Sequence, residues 1–204
     1  MTRCAIPYYD YSHYKDVEMN VRIQGFSLIE LLITIAMLCV IITIAVPSFT
    51  EFIIRNRVDN EIYRLSKLLQ VARNYAIHYG TPVTVCPLNN GRCDHSWSES
   101  LSVFTDNNNN KTFEPSLNEQ LLASKPEVIT GDKIKYAQGR NGVTYGPTGH
   151  LTGWGQNGTF KYCPEKHFDK ARGIIVATSG RIYQTFQSSL GKEQTRSYRY
   201  LQCN

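Results

Sequence analysis

Hydrophobic and polar positions divide this chain into three textures. From Gly25 to Val46 the sequence GFSLIELLITIAMLCVIITIAV is apolar, and its one charged residue is Glu30. The 21 residues from Phe26 to Val46 make a helix of about 30 Å, the thickness of a bilayer core. Pro47 closes this run, and a proline there removes a backbone hydrogen bond and is expected to kink or loosen the helix. A second pattern follows. Val58, Ile62, Leu65, Leu69, Ala72, Ala76 and Tyr79 recur at spacings of four and three, with Arg55, Arg57, Asp59, Glu61, Arg64, Lys67 and Arg73 between them. This is one apolar stripe on a charged helix, ended by Gly80 and Pro82. It is too narrow for a coiled coil and fits a helix packed on a sheet.

After Gly80 the texture turns to short β-like runs between turn residues. Strands are expected at 82–86, 101–105, 133–137, 142–145, 158–163, 173–178 and 181–186, with Ser179-Gly180 as a tight turn between the last two. The remaining 187–204 is polar and basic, a flexible tail anchored at Cys203. The fold class is therefore α+β. A long N-terminal α-helix, its apolar half membrane-spanning and its second half amphipathic, packs on a C-terminal antiparallel β-sheet head. The expected divisions are a leader over 1–25, a transmembrane helix over 26–50 and a globular head over 51–204. Residues 1–18 lack the basic start of a secretory signal, whereas Met19 opens a short polar leader with one Arg. Translation is expected to start at Met19, a long natural leader being the alternative. The apolar run lacks a small-x-small cleavage site at its far end.

Composition narrows the picture further. With 204 residues, 42% hydrophobic and 19% charged, the chain beyond the apolar helix suits one ordinary globular domain. The net charge is +5, and its placement matters more than its size. Phe26–Phe160 holds 11 Lys/Arg and 11 Asp/Glu, whereas Lys161–Asn204 holds 8 basic residues against 3 acidic ones. A basic C-terminal quarter fits either a polyanionic partner or a solvated face. Of six cysteines, Cys86, Cys93, Cys163 and Cys203 lie beyond the apolar run, in the part it would deliver outside the cytoplasm. That fits disulfides in an oxidising compartment. Of three pairings, Cys86–Cys93, closing a short loop, and Cys163–Cys203, tying down the C-terminus, are expected.

Other constellations are weaker. Asp106, Asn108, Asn110 and Glu114 stand at calcium-loop positions, but Lys111 replaces the required glycine and Leu117 the bidentate glutamate, so an Asn-rich turn is expected. Cys163 with His167, and Cys86 and Cys93 with His95, have zinc-like spacing, but disulfides account for these cysteines. No nucleophile–base order, paired carboxylates or phosphate loop stands in its required context. The sequence predicts no enzyme, and no cofactor or metal is implied.

The segment Gly25-Phe26-Ser27-Leu28-Ile29-Glu30-Leu31-Leu32 resembles the class III signal of type IV pilins and of the pseudopilins of type II secretion. The resemblance implies cleavage by a prepilin peptidase after Gly25 and methylation of the new N-terminus at Phe26. It also gives Glu30 a role in assembly. The glutamate would pair with the N-terminal amine of a neighbouring subunit, turning an unpaired buried charge into a paired one. Partners would be the peptidase, the inner membrane before assembly, and other pilin subunits, major and minor. The precursor would be a single-pass inner-membrane protein with its head in the periplasm, and the mature protein would reside in a surface fibre.

Within that superfamily the chain is similar to FimT/FimU minor pilins and to the GspH pseudopilin, over most of residues 25–183. The similarity runs through Pro47-Ser48-Phe49 with Asn56-Arg57, then Leu69-x-x-Ala72-Arg73-Asn74-x-Ala76-Ile77, and Val83-Thr84-Val85-Cys86 with Cys93 and Trp97. It continues in Val103-Phe104-x-Asp106-x-Asn108, Gly158-Thr159-Phe160-x-x-Cys163, Ala171-Arg172-Gly173-Ile174-Ile175-Val176 and Ser179-Gly180-Arg181-Ile182. The resemblance implies a pilin-like fold and a minor pilin of the pilus or its tip. The alternative is a GspH-like pseudopilin of a type II secretion system without DNA binding. FimT members implicated in natural transformation bind double-stranded DNA through a C-terminal Gly-Arg-x-Arg element. Here Gly180-Arg181-Ile182-Tyr183 keeps the first Arg and carries Tyr at the second. Lys192, Arg196 and Arg199 offer further charge, with Tyr198 and Tyr200 among them as stacking surfaces.

Overall fold

The computed structural model describes residues 25–153 and 155–203. The leader before Gly25 and the start at Met19 lie outside the described residues. The chain divides into two compact units, Met1–Val46 and Pro47–Asn204, and helix α1 (Leu28–Tyr79) contributes to both. The helix begins at Ser27. Its carbonyl accepts the Leu31 N–H at 3.1 Å and its hydroxyl accepts the Glu30 N–H at 3.3 Å. A serine closing over the third helical amide, with glutamate at that third position, is an N-terminal capping arrangement. Every described residue of the first unit is exposed. Thr34 and Thr43 donate back to the carbonyls of Leu31 and Val40, so even these hydroxyls are satisfied within the helix.

In the second unit α1 buries Val58, Ile62, Leu65, Leu69, Ala72 and Ala76, the stripe its spacing predicts. Tyr79, expected to end that stripe, is instead exposed and lies against the Tyr75 ring at 4.2 Å. The strands are β1 (Val83–Asn89), β2 (Arg92–Cys93), β3 (Leu101–Thr105), β4 (Leu121–Lys125), β5 (Lys133–Lys135) and β6 (Val143–Tyr145). They continue as β7 (Gly158–Cys163), β8 (Arg172–Val176), β9 (Ile182–Gln184), β10 (Phe186–Gln187) and β11 (Glu193–Gln194). All pairings are antiparallel. In the first sheet β1 is central: β3 and then β4 lie on one side, and β6 and β2 share its other side. The second sheet runs β5-β7-β8-β9, and β10 and β11 form a small hairpin. One core joins the α1 stripe to Val83, Val85 and Val103 of the first sheet and Phe160, Tyr162 and Ile174 of the second. Trp97 closes it, with its ring 5.0 Å from Phe160 and its indole N–H on the Arg140 carbonyl at 2.9 Å.

Several expectations are corrected. The strand expected at 82–86 runs on to Asn89, because Asn90-Gly91 turns it into a hairpin with β2. Both turn residues have positive φ, 50° and 78°, the type I′ signature of Asn-Gly. The expected strand at 181–186 is two elements. Thr185 interrupts it, and its hydroxyl accepts the Gly173 N–H at 2.9 Å and reaches Glu193 at 2.8 Å. The chain thereby leaves β8 and pairs with β11. The tail is consequently not free: 186–194 is the hairpin and Tyr200 bridges to Gln194. Strand β4, at LLASK, is not expected from the pattern at all.

Candidate functional site

Two regions carry the candidate residues. In the first, Gly25, Phe26 and Glu30 stand at the exposed start of α1. Phe26 is 79% exposed, and apolar residues around the helix stay open through Val46. An 18-residue stretch reaches a mean hydropathy of 2.8 with none of it buried, long and apolar enough to cross a membrane. The Glu30 amide is capped by Ser27, and its carboxylate forms no ion pair among the described residues. Nothing in this helix hides the apolar side chains. They demand lipid or the helices of other subunits.

The second region starts at the turn between β8 and β9. Ala177 donates to the Arg181 carbonyl at 2.9 Å, and Gly180 donates to the Ala177 carbonyl at 2.8 Å. Gly180 has φ +71°, and a Cβ there would run into the Gly149 carbonyl oxygen. That same oxygen accepts the Arg73 Nε–H from α1 at 3.0 Å. The turn is thus fixed to the helix by its one tolerated residue, leaving Arg181 exposed at its end. Two residues on, and so on the same face of the strand, stands Tyr183. The Arg196 guanidinium lies 3.9 Å from the centre of its ring, a cation–π contact. Arg181 and Arg196 are therefore brought to one face through Tyr183. Lys192 sits at the hairpin turn with its ammonium 5.8 Å from the Tyr200 ring, and Arg199 donates its amide to the Thr195 hydroxyl at 3.2 Å. No contact joins these last two to Arg181.

The cysteines pair as Cys86–Cys93 and Cys163–Cys203, with Cα separations of 5.5 and 5.8 Å. Those bonds remove every cysteine the zinc-like spacings used, and no group of three His, Cys, Asp or Glu able to hold a metal occurs among the described residues. The Asn-rich loop uses its own ligands. Both Asn108 and Asn110 donate their amides to one Glu114 oxygen, at 2.9 and 2.7 Å, which holds the Glu114 carboxyl below its usual range. Asp106, fully buried, accepts the Asn110 and Lys111 amides and the Thr84 hydroxyl.

Two ion pairs with buried carboxylates went unanticipated. Glu61 on α1 meets Lys125 of β4 at 2.6 Å, with both side chains under 10% exposed. Asp132, 1% exposed, meets Arg57 at 3.2 Å, accepts the Glu165 amide at 2.7 Å and takes the Tyr162 hydroxyl. Burial, then this hydrogen bond, pushes the Tyr162 phenol well above the ordinary tyrosine range. A charged residue at a stripe-flanking position, Glu61 beside Ile62, is the only trace of these pairs in the sequence.

Comparison with known proteins follows the same division. A family model described as type II transport protein GspH matches residues 61–180. One described as the prokaryotic N-terminal methylation motif matches residues 21–46. Among solved structures, the type IV minor pilin FimU of Pseudomonas aeruginosa is 19% identical with a TM-score of 0.51, over 70% of this chain and 96% of that one. The minor pseudopilin EpsH from the type 2 secretion system of Vibrio cholerae is 12% identical with a TM-score of 0.45, over 63% of this chain and 95% of that one. The likeness to FimU is one of fold: a long N-terminal helix packed on antiparallel sheets.

Proposed function

We propose a place in a fibre for this chain, which belongs to the GspH family of type II transport proteins. It is a subunit of the pilin class, a minor type IV pilin or a pseudopilin. The finer reading is a minor type IV pilin. A prepilin peptidase cuts after Gly25, Phe26 becomes the methylated N-terminus, and residues 26–50 hold the precursor in the inner membrane. The head, 51–204, faces the periplasm until the subunit joins major and minor pilins in the fibre or its tip complex. The observation that carries this reading is an open apolar helix inside a methylation motif, whose one acid, Glu30, lacks an ion pair among the described residues. N-terminal sequencing of the mature protein tests it. The first residue should be a methylated Phe26, and a start at Met1 or Met19 sinks the processing claim. The match to a family described by type II transport favours the second reading, a pseudopilin of a secretion system. Genes for secretion-channel components beside this one would decide for it.

A capturing role is proposed for the C-terminal surface: sequence-independent binding of duplex DNA through Arg181, Lys192, Arg196 and Arg199. Tyr183 stands where relatives that bind DNA would have a second arginine, and Arg196 places a guanidinium over it from another segment. Four phosphate contacts predict that the logarithm of affinity falls with the logarithm of salt at a slope of about 3 to 4. Titrating a labelled duplex into the purified protein at several salt concentrations measures this. Changing all four residues to Gln should abolish binding, and binding that survives removes DNA from this surface.

A further inference from the structure

Among the described residues, strand β9 is the open edge of the second sheet, because it pairs with β8 alone. Ala177 N–H meets the Arg181 carbonyl and Thr185 N–H meets the Gly173 carbonyl. With the register Ile175↔Tyr183, the antiparallel alternation turns Arg181, Tyr183 and Thr185 toward β8. The N–H and C=O groups of Ile182 and Gln184 therefore point away from the sheet. Ile182 and Gln184 line a groove of about 500 Å³ together with Ser66, Lys67 and Gln70 of α1. Toward the turn, the same groove is lined by Arg73 from the helix and Arg181 from the strand side. Three properties combine here. The edge offers a donor and an acceptor at alternate residues. The walls carry Lys67, Arg73 and Arg181, and no acid lines either stretch. The Ser66 hydroxyl is buried without a hydrogen-bond partner among the described residues.

We infer that this groove takes an extended, acidic segment of another polypeptide, which adds to β9 as a further strand. Alternating main-chain donors and acceptors are matched by the edge of a second strand and by no phosphate backbone, since phosphates only accept. The unopposed cations select carboxylates on that strand, giving specificity and encounter rate more than bulk affinity. This inference shares Arg181 with the proposed DNA surface but otherwise rests on the β9 main chain, Lys67 and Arg73, and would hold if Lys192, Arg196 and Arg199 bound no nucleic acid.

The test uses the full chain in detergent micelles and a labelled octapeptide of alternating valine and glutamate. The peptide should bind saturably below about 1 mM and slow amide exchange at Ile182 and Gln184. A valine–lysine octapeptide, or a fully N-methylated valine–glutamate one, should bind at least about tenfold more weakly. Gln184→Pro removes one outward N–H while leaving the ladder to β8 intact, and should cost a similar factor. Lys67→Gln with Arg181→Gln should weaken the acidic peptide and leave the fold, read by thermal unfolding, unchanged. Lys192→Gln with Arg199→Gln should leave peptide affinity as it was. Absence of saturable binding, equal affinity for the lysine or methylated peptides, or unaltered exchange at Ile182 and Gln184 would each overturn the proposal. So would protection of those two amides by duplex DNA in place of the peptide.

Discussion

At the scale of single residues, the charges inside the head matter most. Lys125 is 2% exposed in its side chain, and its Nζ has the Glu61 carboxylate at 2.6 Å and the Pro126 carbonyl at 3.0 Å. Removing one member of such a pair strands the other in a place water barely reaches, at a cost of about 3–5 kcal/mol. Replacing both with apolar residues of similar volume is often neutral or better. Glu61→Leu alone should therefore lower stability in denaturant by that amount, and adding Lys125→Met should recover most of it. If the double variant is no more stable than Glu61→Leu, the pair is not coupled as the geometry requires. Neither partner could be matched from the sequence. Glu61 flanks a stripe most of whose other charged neighbours are exposed, and the lysine that makes it a core residue lies 64 positions away. Arg57 and Asp132 present the same difficulty, since a contact between a helix and a distant loop leaves no periodicity to read.

At the scale of elements, what was legible followed the strength of its local pattern. The α1 stripe and the run 158–163, which is β7 to the residue, were readable because a 3.6 or a 2 period repeats several times. Strand β4 was not, since LLASK has no alternation and its one fully buried residue is a lysine. The hairpin at 186–194 was missed for another reason. Its two strands have two residues each, and it owes its place to Thr185 on Glu193 and to the Cys163–Cys203 bond rather than to propensity. The candidate basic surface inherits this dependence, because Lys192, Arg196 and Arg199 all lie between Thr185 and Cys203. With its cysteines 40 positions apart, that disulfide is worth about 4 kcal/mol through chain entropy, against about 2.5 for the shorter Cys86–Cys93 loop. Cys203→Ser should speed amide exchange across 193–201 while β7 and β8 stay protected. It should also release Arg196 from Tyr183, visible as altered tyrosine fluorescence. Unchanged exchange in 193–201 would mean that the hairpin holds itself.

At the scale of the whole molecule, the two units answer to different surroundings. Pro47–Asn204 has a core of its own, whereas the described part of Met1–Val46 buries nothing. The exposed apolar helix is long enough to cross a membrane, and Glu30 is the group proposed to distinguish a subunit in lipid from one packed in a fibre. Near one end of the apolar run its cost in lipid lies below the 2.5–3.5 kcal/mol typical of acidic and basic side chains at a helix centre. Glu30 has two candidate duties. It occupies the third position of a helix capped by Ser27, where glutamate and glutamine serve equally well. It is also proposed to meet the N-terminal amine of a neighbouring subunit, where only the charged form serves. Glu30→Val removes both duties and Glu30→Gln removes only the second. Both variants should fractionate with membranes at wild-type levels, and both should be missing from sheared fibres. Incorporation of Glu30→Gln at wild-type levels, with Glu30→Val excluded, would reduce Glu30 to a helix cap. Incorporation of both would refute any assembly role for the charge.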